Sequence, residues 1–275
     1  MKKYLAIVLA ALLLVGSLAS CVQANPDAID NYTPEVDYIV TEQGTFYFEE
    51  AEGETAILVD YNGKATRDDH VVIPPTFHDR TVTVIGPEAF YSLASVVEVI
   101  IPDTVVKIDE YAFARCTELT SITLPAGLLE ISHMAFAECD KLETVNLGNS
   151  LVTIGDHAFN GCTALTNIPL PSTLETIDDA AFYGCTALTA VEFPASMKKI
   201  GTLAYYDCTG IQSIKFGSDS FQIGDYAFVT DGSTLKDKID MSNLAEGSKV
   251  REYVNNIAEP TATEAPETEA AEPEA

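Results

Sequence analysis

Five cysteines recur at a constant interval of 23 residues: Cys116, Cys139, Cys162, Cys185 and Cys208. A row of thiols invites two kinds of chemistry, metal binding and disulfide formation. Zinc requires four ligands converging on one point, whereas side chains one structural unit apart lie on a line, each roughly 5 Å from the next. Adjacent pairs would meet the Cα range of a disulfide, but five thiols leave one over. Each cysteine also stands three residues after an aromatic (Phe113, Phe136, Phe159, Phe182, Tyr205). That fixed place predicts a small buried side chain whose S–H reaches a backbone carbonyl at a bend.

A second column carries carboxylates and hydroxyls: Asp109-Glu110, Ser132-His133, Gly155-Asp156, Asp178-Asp179, Gly201-Thr202 and Gly224-Asp225. Stacked carboxylates on loops suit calcium. The column is not acidic in every unit, and no D-x-[DN]-x-[DN]-G loop occurs, so N-capping of a one-turn helix is the favoured role. The four histidines, His70, His78, His133 and His157, occupy variable positions and are read as surface residues; Asp68-Asp69-His70 is read as a solvated turn. No G-x-S-x-G, H-E-x-x-H, P-loop or dinucleotide-binding motif is present, so no catalytic residue, metal ligand or cofactor is assigned. A formal charge of −27 excludes nucleic acid as a partner, because such a surface repels phosphates.

The elements that must position these side chains follow from the same interval. Ile85, Ile108, Ile131, Ile154, Ile177, Ile200 and Ile223 keep step with Ala89, Ala112, Ala135, Ala158, Ala181, Ala204 and Ala227, each alanine followed by an aromatic. Regular apolar ladders separated by variable residues mark stacked units sharing one core. Within a unit, Leu119-Thr120-Ser121-Ile122-Thr123-Leu124 reads as a strand with Ile122 and Leu124 inward and Ser121 and Thr123 outward. Across the units the outward columns are Glu98, Ser121, Thr144, Asn167, Ala190 and Ser213, and Ile100, Thr123, Asn146, Pro169, Glu192 and Lys215. They are small, mostly neutral hydrogen-bonding residues, lacking the aromatic and Arg anchors that usually carry binding energy. Pro169 predicts a local break in pairing, since proline supplies no ladder donor.

The unit I-x-x-x-A-F-x-x-C-x-x-L-x-x-I-x-L-P-x-x-L-x-x-I resembles the BspA-like leucine-rich repeats of bacterial surface proteins. The resemblance covers residues 85 to 228. It implies an α/β-type solenoid, a leucine-rich repeat stack with a parallel β-sheet on one face, short helical turns on the other and a small N-terminal β cap. It also implies a non-catalytic role in adhesion or contact between cells, with Glu98, Ser121, Thr123, Thr144, Asn146, Asn167, Glu192, Ser213 and Lys215 as the ligand-binding sheet face. A structural spacer is the alternative, and an enzymatic N-terminal module a weaker one.

The flanking segments complete the organisation. Lys2 and Lys3 precede an apolar stretch from Leu5 to Leu18, so residues 1–20 read as a signal peptide. Leu18-Ala19-Ser20-Cys21 resembles the bacterial lipobox, which would make Cys21 an acylated N-terminus and the membrane a partner through its lipid; Val22-Gln23-Ala24 offers a rival cleavage site giving a secreted product. Residues 21–37 read as a tether, 38–89 as the N-terminal β module with a turn at Asn62-Gly63, 90–227 as six repeats, and 228–258 as a C-terminal cap. That cap contains a helix from Ser248 to Ile257 with Val250, Tyr253, Val254 and Ile257 on one side. The tail 259–275 holds six glutamates and three prolines and reads as disordered. Surface display leaves an extracellular protein or glycan as the expected ligand.

Overall fold

The computed structural model describes residues 37–63, 70–230 and 233–257. Because the 23-residue interval contains no insertion, each coil of chain lays its side chains on their counterparts in the next coil. Like therefore stacks on like. The aromatic column runs Phe90, Phe113, Phe136, Phe159, Phe182, Tyr205, Phe228, with centroids 4.8, 5.2, 5.2, 5.3, 4.9 and 5.7 Å apart and ring planes within 17° of parallel. Those separations match the spacing of paired strands, so backbone pairing and ring packing reinforce one another. All seven rings are fully buried.

Three flanks of every coil are hydrogen-bonded to its neighbours. The first is the isoleucine ladder, where two-residue strands such as Glu130–Ile131 and Thr153–Ile154 pair in parallel, Ile85 against Ile108 and onward to Ile223. This is the most continuous sheet among the described residues, and it stands apart from the L-x-x-I-x-L strands that alternation predicts. The second flank is that segment. His70–Val72, Glu98–Ile100, Ser121–Thr123 and Thr144–Asn146 form one parallel sheet in register, and Ala190–Phe193 pairs separately with Ser213–Phe216. Between them only a single bridge, Thr144 to Asn167, survives, so the break expected at Pro169 is found.

The third flank carries the Ala-Phe segments, and helix is minor here. They are chains of hydrogen-bonded turns whose alternate N–H groups reach the next coil: Tyr111 to His133 O at 3.0 Å, Phe113 to Ala135 O at 2.8 Å and Arg115 to Ala137 O at 2.8 Å. Residues in the left-handed region make this possible, among them Tyr111 (φ 55°), Met134 (49°), His157 (54°) and Leu203 (57°). The left-handed conformation turns the peptide so that its N–H faces along the stack instead of back into its own turn.

Both ends of the stack are covered. At the N-terminal end, β1 (Asp37–Val40), β2 (Gly44–Glu50) and β3 (Thr55–Gly63) form an antiparallel meander, and β3 then pairs in parallel with Arg80–Ile85, merging with the isoleucine ladder. Asn62-Gly63 is not a turn: both residues continue β3, opposite Thr45 and Gly44. At the other end lies α1 (Lys249–Asn256), capped by the Ser248 hydroxyl accepting from Arg251 N at 3.3 Å. Val250 and Val254 are buried, and Tyr253 packs edge-on against Phe228. Among the described residues no helix is long and apolar enough to cross a membrane.

Candidate binding surface and side-chain clusters

Alternation along the outer strands buries Ile122, Val145, Val191 and Ile214 and turns their neighbours out. Thr123, Thr144, Asn146, Asn167, Glu192 and Lys215 are exposed, while Glu98, Ser121 and Ser213 are half-buried. Glu98, Ser121, Thr123, Thr144 and Asn146 share one sheet, and Asn167 joins it through its single bridge. Glu192, Ser213 and Lys215 stand on the separate pair beyond Pro169. The carboxylates on this face have partners: His70 Nδ1 lies against Glu98, and Lys215 Nζ donates to Glu192 Oε1 at 2.8 Å. That carboxylate holds the Lys215 ammonium above its usual pKa.

The cysteine column is buried and its thiols are free. Each S–H donates to a phenylalanine carbonyl of the preceding coil: Cys116 to Phe90 O, Cys139 to Phe113 O and Cys162 to Phe136 O at 3.1 Å, Cys185 to Phe159 O at 3.2 Å, Cys208 to Phe182 O at 3.0 Å. Burial pushes Cys116 and Cys162 up to about 12 and holds Cys139, Cys185 and Cys208 well above the usual thiol range. The column is structural, as its spacing implied.

The carboxylate column differs from its expected role. No helix follows it, so nothing there is N-capped; the carboxylates serve turns and neighbouring coils instead. Asp109 Oδ1 accepts from Glu110 N at 3.0 Å, Asp179 Oδ1 from Thr202 N of the next coil at 2.9 Å, and Asp178 pairs with Lys199 at 2.7 Å.

Two of the histidines are also not ordinary surface residues. His133 and His157 have side chains 31% and 18% exposed, and both face Asp156. His133 Nδ1 lies 3.0 Å from Asp156 Oδ2, and its Nε2 lies 3.2 Å from the Tyr111 hydroxyl. His157 Nδ1 is 3.1 Å from Asp156 Oδ1, yet off the axis a hydrogen bond requires, and this buried nitrogen has no hydrogen-bond partner. The only sequence signal for this group was that His133 and Asp156 share a column one interval apart. Cys21, the 1–20 signal peptide, the tether up to residue 36, Asp68-Asp69 and the tail 259–275 lie outside the described residues, while Asp37 already belongs to β1.

Parallel ladders on successive coils, a buried aromatic column and an outward polar strand face define a leucine-rich repeat solenoid. A family profile described as BspA type leucine rich repeat region matches in six copies over residues 83–208 and 153–246, more than half of the chain. The chain belongs to that family. No curated protein matches it. Among solved structures it is similar to a Treponema pallidum leucine-rich repeat protein, at 28% identity and a TM-score of 0.61 over 72% of this chain and 87% of that one. A leucine-rich repeat protein of Bacteroides ovatus gives 29% identity and 0.59 over 73% of this chain and 52% of that one. A leucine rich cell surface protein of Faecalibacterium prausnitzii gives 27% and 0.50 over 69% and 56%. The chain therefore spans about half the length of the latter two.

Proposed function

We propose that this is a non-catalytic, exported bacterial surface protein that binds an extracellular protein or glycan through its outer strand face, in the manner of an adhesin. The observation that carries the reading is the exposed row Thr123, Thr144, Asn146 and Asn167, a continuous polar surface on a rigid sheet with no apolar side chain projecting among those four. Many weak polar contacts along such a row suit an extended chain, peptide or sugar, whose repeating groups can follow the repeating coils. Family membership and the similarity to a surface protein of Faecalibacterium prausnitzii support display outside the cell. Cys21 is the proposed lipid anchor.

Substituting Thr144, Asn146 and Asn167 together with arginine tests the face. Recombinant 25–258 is applied to matrix, mucus and bacterial envelope extracts, and the ligand retained by the natural protein is followed. Retention is expected to fall at least tenfold in the triple variant, because three long charged side chains would stand in the contact surface. Undiminished retention with unchanged folding would overturn the reading. A structural spacer is the second reading, favoured by the matched Glu192–Lys215 pair and the lack of aromatic anchors on the face.

A further inference from the structure

The cluster of His133, Asp156 and His157 on the turn flank is unexplained by the outer strand face. One donor atom of each residue lies within 4.8 Å of the others. A single carboxylate is approached by two imidazoles, one on each oxygen. The first contact is an ordinary hydrogen bond. The second is not: a buried nitrogen sits 3.1 Å from an anionic oxygen outside hydrogen-bond geometry and has no hydrogen-bond partner. Two such atoms about 3 Å apart and outside hydrogen-bond geometry are spaced as two ligands of one cation would be.

We infer that His133, Asp156 and His157 form a binding site for a divalent transition cation of the zinc class, bridging two successive coils. Imidazole nitrogen with one carboxylate oxygen is a donor set suited to zinc, copper or nickel and poorly suited to calcium or magnesium. Tetrahedral zinc with bonds of about 2.0–2.1 Å holds its ligand atoms roughly 3.3 Å apart. The 3.0 and 3.1 Å separations from Asp156 are close to that value, and the two imidazole nitrogens, within 4.8 Å of each other, reach it by side-chain rotation. Three protein ligands leave a position for water or for a group of a partner. Tyr111 is the positioning residue: with the metal on Nδ1 the His133 proton sits on Nε2, which donates it to the Tyr111 hydroxyl oxygen 3.2 Å away and so orients the ring. The chain's net charge of −27 raises the local concentration of cations around it.

The test is a titration of the untagged full chain with zinc chloride alone, followed by calorimetry and by melting, with cobalt(II) absorption as a spectroscopic check of nitrogen ligation. One saturable site per chain is expected, with a melting temperature raised by about 5 °C at a hundredfold excess over Kd. His157→Asn, which tolerates the left-handed φ of 54° at this position, and His133→Gln are each expected to weaken zinc at least tenfold, and Tyr111→Phe about tenfold. His78→Gln, far from the cluster, should leave it unchanged. Should His157→Asn fail to fold, His133→Gln decides alone. Absence of saturable binding overturns the inference, as does zinc binding that survives both histidine substitutions or calcium binding of equal strength, either of which would mark diffuse acidic attraction.

Discussion

At the scale of single residues, register makes each side chain answer to its counterparts, and the exceptions become conspicuous. Tyr205 occupies a column of phenylalanines; its ring is fully buried, 4.9 Å from Phe182, and its hydroxyl has no hydrogen-bond partner. An unsatisfied buried hydroxyl costs about 1–3 kcal/mol, whereas the ring itself packs as a phenylalanine does. Tyr205→Phe is therefore expected to stabilise the chain by about 1–2 kcal/mol, read as a higher urea midpoint at unchanged slope. A midpoint that stays put or falls would mean the hydroxyl is bonded in solution. His133, Asp156 and His157 are the second exception, and no local pattern announces them, because their meeting depends on which residues neighbouring coils place side by side.

At the scale of the element, the turn flank replaces helix because alternate peptides must point along the stack. Two positions per coil take left-handed backbone. At the second of them Ser92, Arg115, Glu138 and Asp207 sit at φ 57–60°, and Gly161 and Gly184 fill the same place at 74° and 69°. A Cβ added at Gly184 would meet nothing within 4 Å, so Gly184→Ala isolates the backbone term. It is expected to cost about 1 kcal/mol, lowering the melting temperature by a few degrees, with Gly184→Asn costing roughly half as much. An equal loss for both would point to sterics in place of conformation. The same element logic explains the strands: the L-x-x-I-x-L segments are legible as strands from alternation alone, and Pro169 as their break. From Lys107–Ile108 onward the isoleucine strands are only two residues long, too short for any periodicity to reveal, yet nothing interrupts them.

At the scale of the whole molecule, five thiols, each donating to the coil before it, tie the stack's stability to pH. In the folded chain the thiols stay protonated, Cys116 and Cys162 to about 12, because burial disfavours the thiolate, while in the unfolded chain they ionise from about 9. The folded state thus holds more protons above pH 9. Their contribution is complete below that pH and is lost as pH rises from 9 toward 12, by about 1.4 kcal/mol per unit for each thiol. Urea midpoints measured between pH 8 and 10.5 should fall steeply, and Cys139→Ala should flatten the slope by one thiol's share. A slope unaffected by that substitution would assign the alkaline loss to other groups. The exposed ion pairs that span coils, such as Lys141–Glu118 at 2.7 Å, add little to this balance because water screens them.

What the amino-acid sequence determined by itself was the pitch. An uninterrupted interval of 23 forces equivalent side chains into columns, so the buried rings, the inward thiols, the outward polar face and the break at Pro169 all follow from counting. The tertiary structure alone decided which flank would carry the continuous sheet, that left-handed turns would stand where helical caps were expected, and that two histidines would close on one carboxylate. Those outcomes arise between coils, where hydrogen-bond directions and side-chain contacts depend on the rotation of one coil against the next, a quantity no single repeat contains.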